Sequence, residues 1–165
     1  MQPFARIITT LRRAAAALVL TLVVAGSALA QAGSGVQNVD ANGVILGGHD
    51  AVSYQTENKA VMGSAEFTAT HNAAIYRFAS ALHRDAFNAN PAKYAPAYGG
   101  YCAMGVAVGK KLNGDPTAFT VANGSLFLNV NPSVRSMWAR NIPGNNAKAE
   151  KNWAAVATRR GFDTM

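Results

Sequence analysis

Two hairpin patterns constrain this chain more than any other feature of its sequence. Residues 65–70 alternate in character, and residues 74–79 alternate again after the polar link His71-Asn72-Ala73. Ile75 and Arg77 fall on one face, Tyr76 and Phe78 on the other. Alternation with a period of two marks a strand with one covered face, and a short polar link between two such runs marks a hairpin. The second pattern is sharper. Ala118-Phe119-Thr120-Val121 and Leu126-Phe127-Leu128 flank Asn123-Gly124. A tight hairpin turn needs positive φ at both central residues, which Asn and Gly adopt most readily.

Helix signals fill the intervals between the hairpins. Ser80 is placed to cap a helix running to Asn88, with Leu82, Ala86 and Phe87 as its apolar stripe. Asn90-Pro91 and Asn131-Pro132 each open a helix, because proline suits the first helical position. Val134, Met137 and Trp138 give the second of these one apolar face. The small apolar run 102–109 fits a buried helix or a strand equally. Residues 141–144 read as a break before a last helix from Asn146, which carries Trp153 and Val156. No internal repeat, charge run or low-complexity block is legible. The expected fold is α+β, with a small antiparallel sheet built from two hairpins and packed with three to four short helices.

The two ends read differently from the middle. Residues 1–30 combine Arg6, Arg12 and Arg13, an apolar stretch from Ala14 to Ala25, and Ala28-Leu29-Ala30 before Gln31. A basic start, a short apolar core and an A-x-A site describe a secretory signal peptide. Arg12-Arg13 lacks the neighbours of a twin-arginine signal, so Sec export to the periplasm or the medium is the expectation. Residues 31–43 read as a flexible leader, 44–157 as the domain and 158–165 as a polar, frayed tail. No membrane span is expected once the signal is removed.

Charge and cysteine content narrow the function. The chain holds 15 Lys and Arg against 8 Asp and Glu, for a formal charge of +7. Part of that excess lies in the signal, and no basic run longer than a pair such as Lys110-Lys111 lies beyond it, so nucleic-acid binding is not expected. A single cysteine excludes an internal disulfide framework and multi-cysteine zinc or iron–sulfur sites. In an oxidising compartment Cys102 would be a buried inert thiol, a metal ligand or an intermolecular bridge. No nucleophile elbow, phosphate loop or zinc-protease helix is present, and the reading is of a binding protein, not an enzyme.

Two sets of residues carry the binding readings. Imidazole and soft sulfur ligands suit copper. His71, His83 and Cys102 form the first set, with Met104 and His49 as additional ligands, for copper or another transition metal. His49-Asp50 reads alternatively as a turn residue followed by a cap. The second set is aromatic. Tyr54, Tyr76, Tyr98 and Tyr101, with Trp138 or Trp153, could line a pocket for a small ligand or a protein partner beside Cys102.

The sequence resembles the YHS-domain family. The resemblance is carried by His71, Tyr76-Arg77-Phe78-Ala79-Ser80, His83, Phe87, Asn90-Pro91 and Lys93-Tyr94. Gly48-His49-Asp50-Ala51-Val52-Ser53-Tyr54, the run 94–103, Trp138 and Ile142-Pro143-Gly144-Asn145 look like its exported bacterial branch. It extends from about residue 47 to 153. Metal-handling members place cysteines in a Phe-Cys-Ser-x-x-Cys motif; here Ala79 and His83 stand at those two positions. The resemblance implies a metal-associated ancestry, with one ligand position lost to Ala79 and one changed to His83.

Overall fold

The computed structural model describes residues 36–164. The expected signal peptide and residues 31–35 of the expected leader lie outside them. The fold is α+β, as the alternation and capping signals predict. In chain order it comprises α1 (Ser53–Thr56), β1 (Ser64–His71), β2 (Ala74–Phe78), α2 (Ala81–Ala89), α3 (Pro91–Tyr94), α4 (Ala103–Ala107), β3 (Asp115–Ala122), β4 (Ser125–Asn129), α5 (Pro132–Ala139) and α6 (Ile142–Ala157). Two 3-10 turns, Leu46–Gly48 and Ala97–Gly100, precede α1 and α4.

Local chemistry explains the helix boundaries. Ser80, Asn90, Asn131 and Asn141 each accept a hydrogen bond at their side chain from a backbone N–H three residues on, which satisfies an orphan donor of the first turn. The region 102–109 resolves as helix α4. Residues 142–144, expected as a break, form the first turn of α6: Asn141 caps it, and a proline there forfeits no helical hydrogen bond.

The hairpins form two separate antiparallel sheets, not one joined sheet. Side chains hold them together in place of a ladder. In β4 Leu126 and Leu128 enter one core with Tyr54, Tyr76, Phe78 and Phe87. Phe127, on the opposite face, enters a second core with Tyr98, Val106, Trp138 and Val156. Strand β4 is thus covered on both faces and divides the two cores.

No repeat is legible in the sequence, yet the architecture repeats. The order 3-10 turn, helix, strand, strand, helix, helix occurs twice in succession. Each first strand spans 8 residues and each second strand 5. Both hairpins carry a register irregularity at the same place, between Ser64 and Thr68 and between Asp115 and Phe119. The isolated bridges Val44↔Ile75 and His49↔Met62 recur as Pro96↔Leu126 and Tyr101↔Asn113. Gly63 and Gly114, each just before a first strand, leave no room for a side chain. A Cβ at Gly63 would lie 2.5 Å from the Arg77 carbonyl carbon, and one at Gly114 would meet the Gly100 carbonyl oxygen. The period is roughly 50 residues, within the range of known structural repeats. Identities hide it because packing needs a size and a polarity at each position: Phe87 and Trp138 fill matching sites with different rings.

Both ends of the described chain are bonded into the fold. In the expected leader Asn38 donates from its backbone to Gly99 O and from its side chain to Gly100 O, and Val39 bridges Ile45. In the expected frayed tail Asp163 exchanges backbone and side-chain hydrogen bonds with Lys111, and Phe162 packs on Tyr101. Buried Lys111 also donates from Nζ to Arg159 O at 2.8 Å. A sequence read by polarity misses such anchors because backbone and long-range partners make them.

Candidate functional site

The residues expected as metal ligands separate. His71 ends β1 and packs edge-on against Phe87, with ring centroids 6.0 Å apart. His83, on α2, turns to the first core, where its Nδ1–H donates to Asp50 Oδ2 at 2.6 Å. His49 is a turn residue, its Nδ1 3.0 Å from Leu46 O. Cys102 is fully buried in the second half and caps α4, its sulfur accepting from Gly105 N at 3.3 Å. Met104 packs at the edge of the second core. Among the described residues no group of three or more His, Cys, Asp or Glu side chains is placed to hold a metal ion.

Asp50 and Cys102 occupy matching places, each ahead of the short helix of its half. Asp50 is fully buried; Oδ1 accepts from Val52 N and Oδ2 from Ala79 N, besides His83. The Cys102 sulfur accepts from the Gly105 backbone N–H, and the backbone N–H groups around it favour the thiolate. They offset in part the burial that pushes this thiol above its ordinary value. One backbone nest holds a carboxylate and the other a thiol. Asp50, His83 and Glu57, whose Oε1 lies 3.9 Å from His83 Nε2, form a line from core to surface. Sequence reading placed Asp50 as a cap and missed its contact with His83, which comes from a helix in a distant stretch of chain.

The tyrosines also disperse. Tyr54 packs edge-on against Phe119 and donates to Pro116 O at 3.0 Å, joining the two halves. Tyr76 lies in the first core against Phe87. Tyr101 donates to Gln37 O at 3.3 Å. Burial pushes the pKa of Tyr54, Tyr76, Tyr98 and Tyr101 above the ordinary tyrosine value; for Tyr54 the charges of Asp115 and Asp50 add to the effect.

Of these four, Tyr98 is the one that lines a large cleft. Its cavity is about 460 Å³, within the usual range for small-molecule sites. It lies at the seam of the halves, where the two hairpin turns (His71-Asn72 and Gly124-Ser125) approach α6. Tyr98 has a φ of +53° in the second 3-10 turn, and its ring stacks edge-on with Trp153 at 5.5 Å. Its hydroxyl lies 2.7 Å from Asn146 Oδ1 and 3.1 Å from Glu150 Oε1 and can donate to either. Burial, then the Glu150 charge and hydrogen bond, hold Tyr98 protonated. Asn146, Glu150 and Trp153 recur at helical spacing on one face of α6. That spacing was the available sequence signal for Asn146 and Glu150. Cys102 is not in the lining.

Comparison of the chain with protein-family models, with curated proteins and with solved structures finds no match. No helix among the described residues is long and apolar enough to cross a membrane.

Proposed function

We propose that this is an exported binding protein that takes a small organic ligand in the seam cleft, without a metal and without catalysis. The cleft carries the proposal: it joins apolar walls from Trp153 and Phe127 to oriented polar groups on Tyr98, Asn146 and Glu150. Apolar concavities with a few convergent polar groups, at the junction of two structural units, are where ligands bind. The basic and apolar pattern of residues 1–30 supports export to the periplasm or the medium. The residues quoted for the YHS family support placing the domain there.

The copper-type reading has less support, because His71, His83 and Cys102 each bond different partners. One set of experiments separates the two. The purified protein is screened by ligand-observed NMR against small aromatic and aliphatic amines, acids and alcohols, and binding is mapped by amide shifts. Binders that shift Tyr98 and Trp153 and are lost in Trp153→Ala support the cleft reading; the absence of any such binder refutes it. In parallel the protein is loaded with Cu(I), Cu(II) or Zn(II), desalted and assayed for metal. Stoichiometric uptake that falls in Cys102→Ala and His83→Ala would instead favour the metal reading.

A further inference from the structure

The seam cleft carries polar side chains that the protein itself leaves unused. His71 lines it, and its ring only packs, with centroids 6.0 Å from Phe87 and 6.4 Å from Tyr76. Among the described residues neither ring nitrogen of His71 has a hydrogen-bond partner. The same holds for the side chains of Asn72, beside it in the first hairpin turn, and of Ser125, which opens β4; both are exposed and line the cleft. Asn146 turns Oδ1 to the Tyr98 hydroxyl, which leaves its Nδ2 hydrogens for another acceptor. Glu150 is bonded within the protein and is not counted among these open groups.

The open groups share one chemistry. A neutral imidazole, an amide and a hydroxyl each both donate and accept. They stand on three separate elements, the two hairpins and α6, and so come from three walls of the cleft. A planar heterocycle presents its polar atoms along edges in one plane. A pyranose carries hydroxyls around its whole rim, each a donor and an acceptor. Trp153 supplies the remaining contact. It is half-buried, and neither neighbouring ring lies parallel to the indole: Tyr98 stands at 64° to it and Tyr101 at 47°. The C–H face of a pyranose, slightly positive, complements the negative face of an indole. At about 460 Å³ the cleft has room for such a ring.

We infer that the seam cleft binds a pyranose, with Trp153 against one C–H face and His71, Asn72, Ser125 and Asn146 bonding its hydroxyls. This rests on the proposed ligand-binding role of the cleft and adds the class of ligand. Selection is by the pattern of hydroxyls, not by net charge.

The methyl β-glycosides of glucose, galactose and mannose provide the test, with cyclohexylmethanol as a ring of similar size bearing one hydroxyl. Each is titrated into the purified protein, with backbone amide shifts as the readout. The expected result is saturable shifts at Asn72, Tyr98, Ser125 and Trp153 with at least one glycoside, at least tenfold tighter than with cyclohexylmethanol. His71→Phe keeps a ring against Phe87, and Ser125→Ala lies at an exposed position, so both retain the fold, which amide shifts outside the cleft verify. Loss of one hydrogen bond weakens binding about two- to tenfold, so each variant should weaken the glycoside by that factor and leave cyclohexylmethanol unchanged. Equal or tighter binding of cyclohexylmethanol, or glycoside affinity unchanged in both variants, overturns the pyranose assignment and leaves the cleft as a binding site. Failure of all three glycosides to shift cleft amides also overturns it; the cleft reading itself then stands or falls with the screen of amines, acids and alcohols.

Discussion

Replacing Asp50 by alanine isolates the strongest polar junction in the first half of the molecule. The carboxylate is fully buried and accepts from Val52 N at 2.8 Å, Ala79 N at 2.9 Å and His83 Nδ1 at 2.6 Å. It thereby fastens the segment before α1 to the end of β2 and to α2. Alanine leaves two backbone donors without their acceptor in a site that water does not reach. Each orphaned donor costs about 1–3 kcal/mol, and breaking a buried charged junction typically costs about 3–5 kcal/mol in all. A loss of ~4 kcal/mol is a large part of the roughly 5–15 kcal/mol that holds a domain folded. It corresponds to a fall in melting temperature of ~10–20 °C, at about 3–5 °C per kcal/mol for a domain of this size. Asp50→Asn keeps one acceptor oxygen and should lose less. His83→Ala should be partly non-additive with Asp50→Ala, because the two side chains share one hydrogen bond. Urea denaturation followed by far-UV circular dichroism reads these values, with an unchanged m-value showing that the transition is the same. An Asp50→Ala midpoint within about 0.5 kcal/mol of wild type would refute the assignment of this carboxylate as a buried structural acceptor.

Four further outcomes follow from the packing. Gly114→Ala should destabilise by about 1–3 kcal/mol through overpacking, since its Cβ would meet Gly100 O and lie 2.7 Å from Leu128 Cβ; a thermal melt unchanged from wild type would contradict this contact. Gly124→Ala meets open space but must hold a φ of +75°, so it should cost only about 1–2 kcal/mol of backbone strain, measured in the same melts. Cys102 should resist iodoacetamide in the native protein and react only as fast as the protein opens, because the thiol is buried and its acidity is suppressed; rapid stoichiometric labelling of the folded form would contradict this. Tyr54, Tyr76 and Tyr98 have folded-state values raised above the ordinary tyrosine value of about 10, so the native state keeps protons that the unfolded chain releases. Their stabilising contribution is complete below that value and is lost as pH rises toward the folded-state values. Phenolate absorbance should accordingly appear in step with alkaline unfolding; early, independent ionisation of these tyrosines would contradict their burial.

Features set by neighbouring residues were legible in the sequence. Asn123-Gly124 places a turn because those two residues tolerate positive φ, and the structure has both there at +51° and +75°. Ser80 and Asn131 cap helices because a side-chain oxygen three residues from a backbone N–H needs no distant partner. Alternation along β2 put Tyr76 and Phe78 on one face, and the structure makes that face the buried one. Contacts closed over long stretches of chain had no such signature. Asp50 meets His83, and Tyr98 meets Asn146 and Glu150, only because the packing of elements within each half fixes where each side chain lies. The same holds for the structural repeat, since matching backbone paths accept different side chains of suitable size. Residue order alone determined the α+β class, the hairpins and the caps, whose energies are local. Tertiary packing alone decided that His71, His83 and Cys102 take separate partners while α6 and the Tyr98 turn enclose a cleft, because the free energy of a site depends on distances that chain connectivity does not specify.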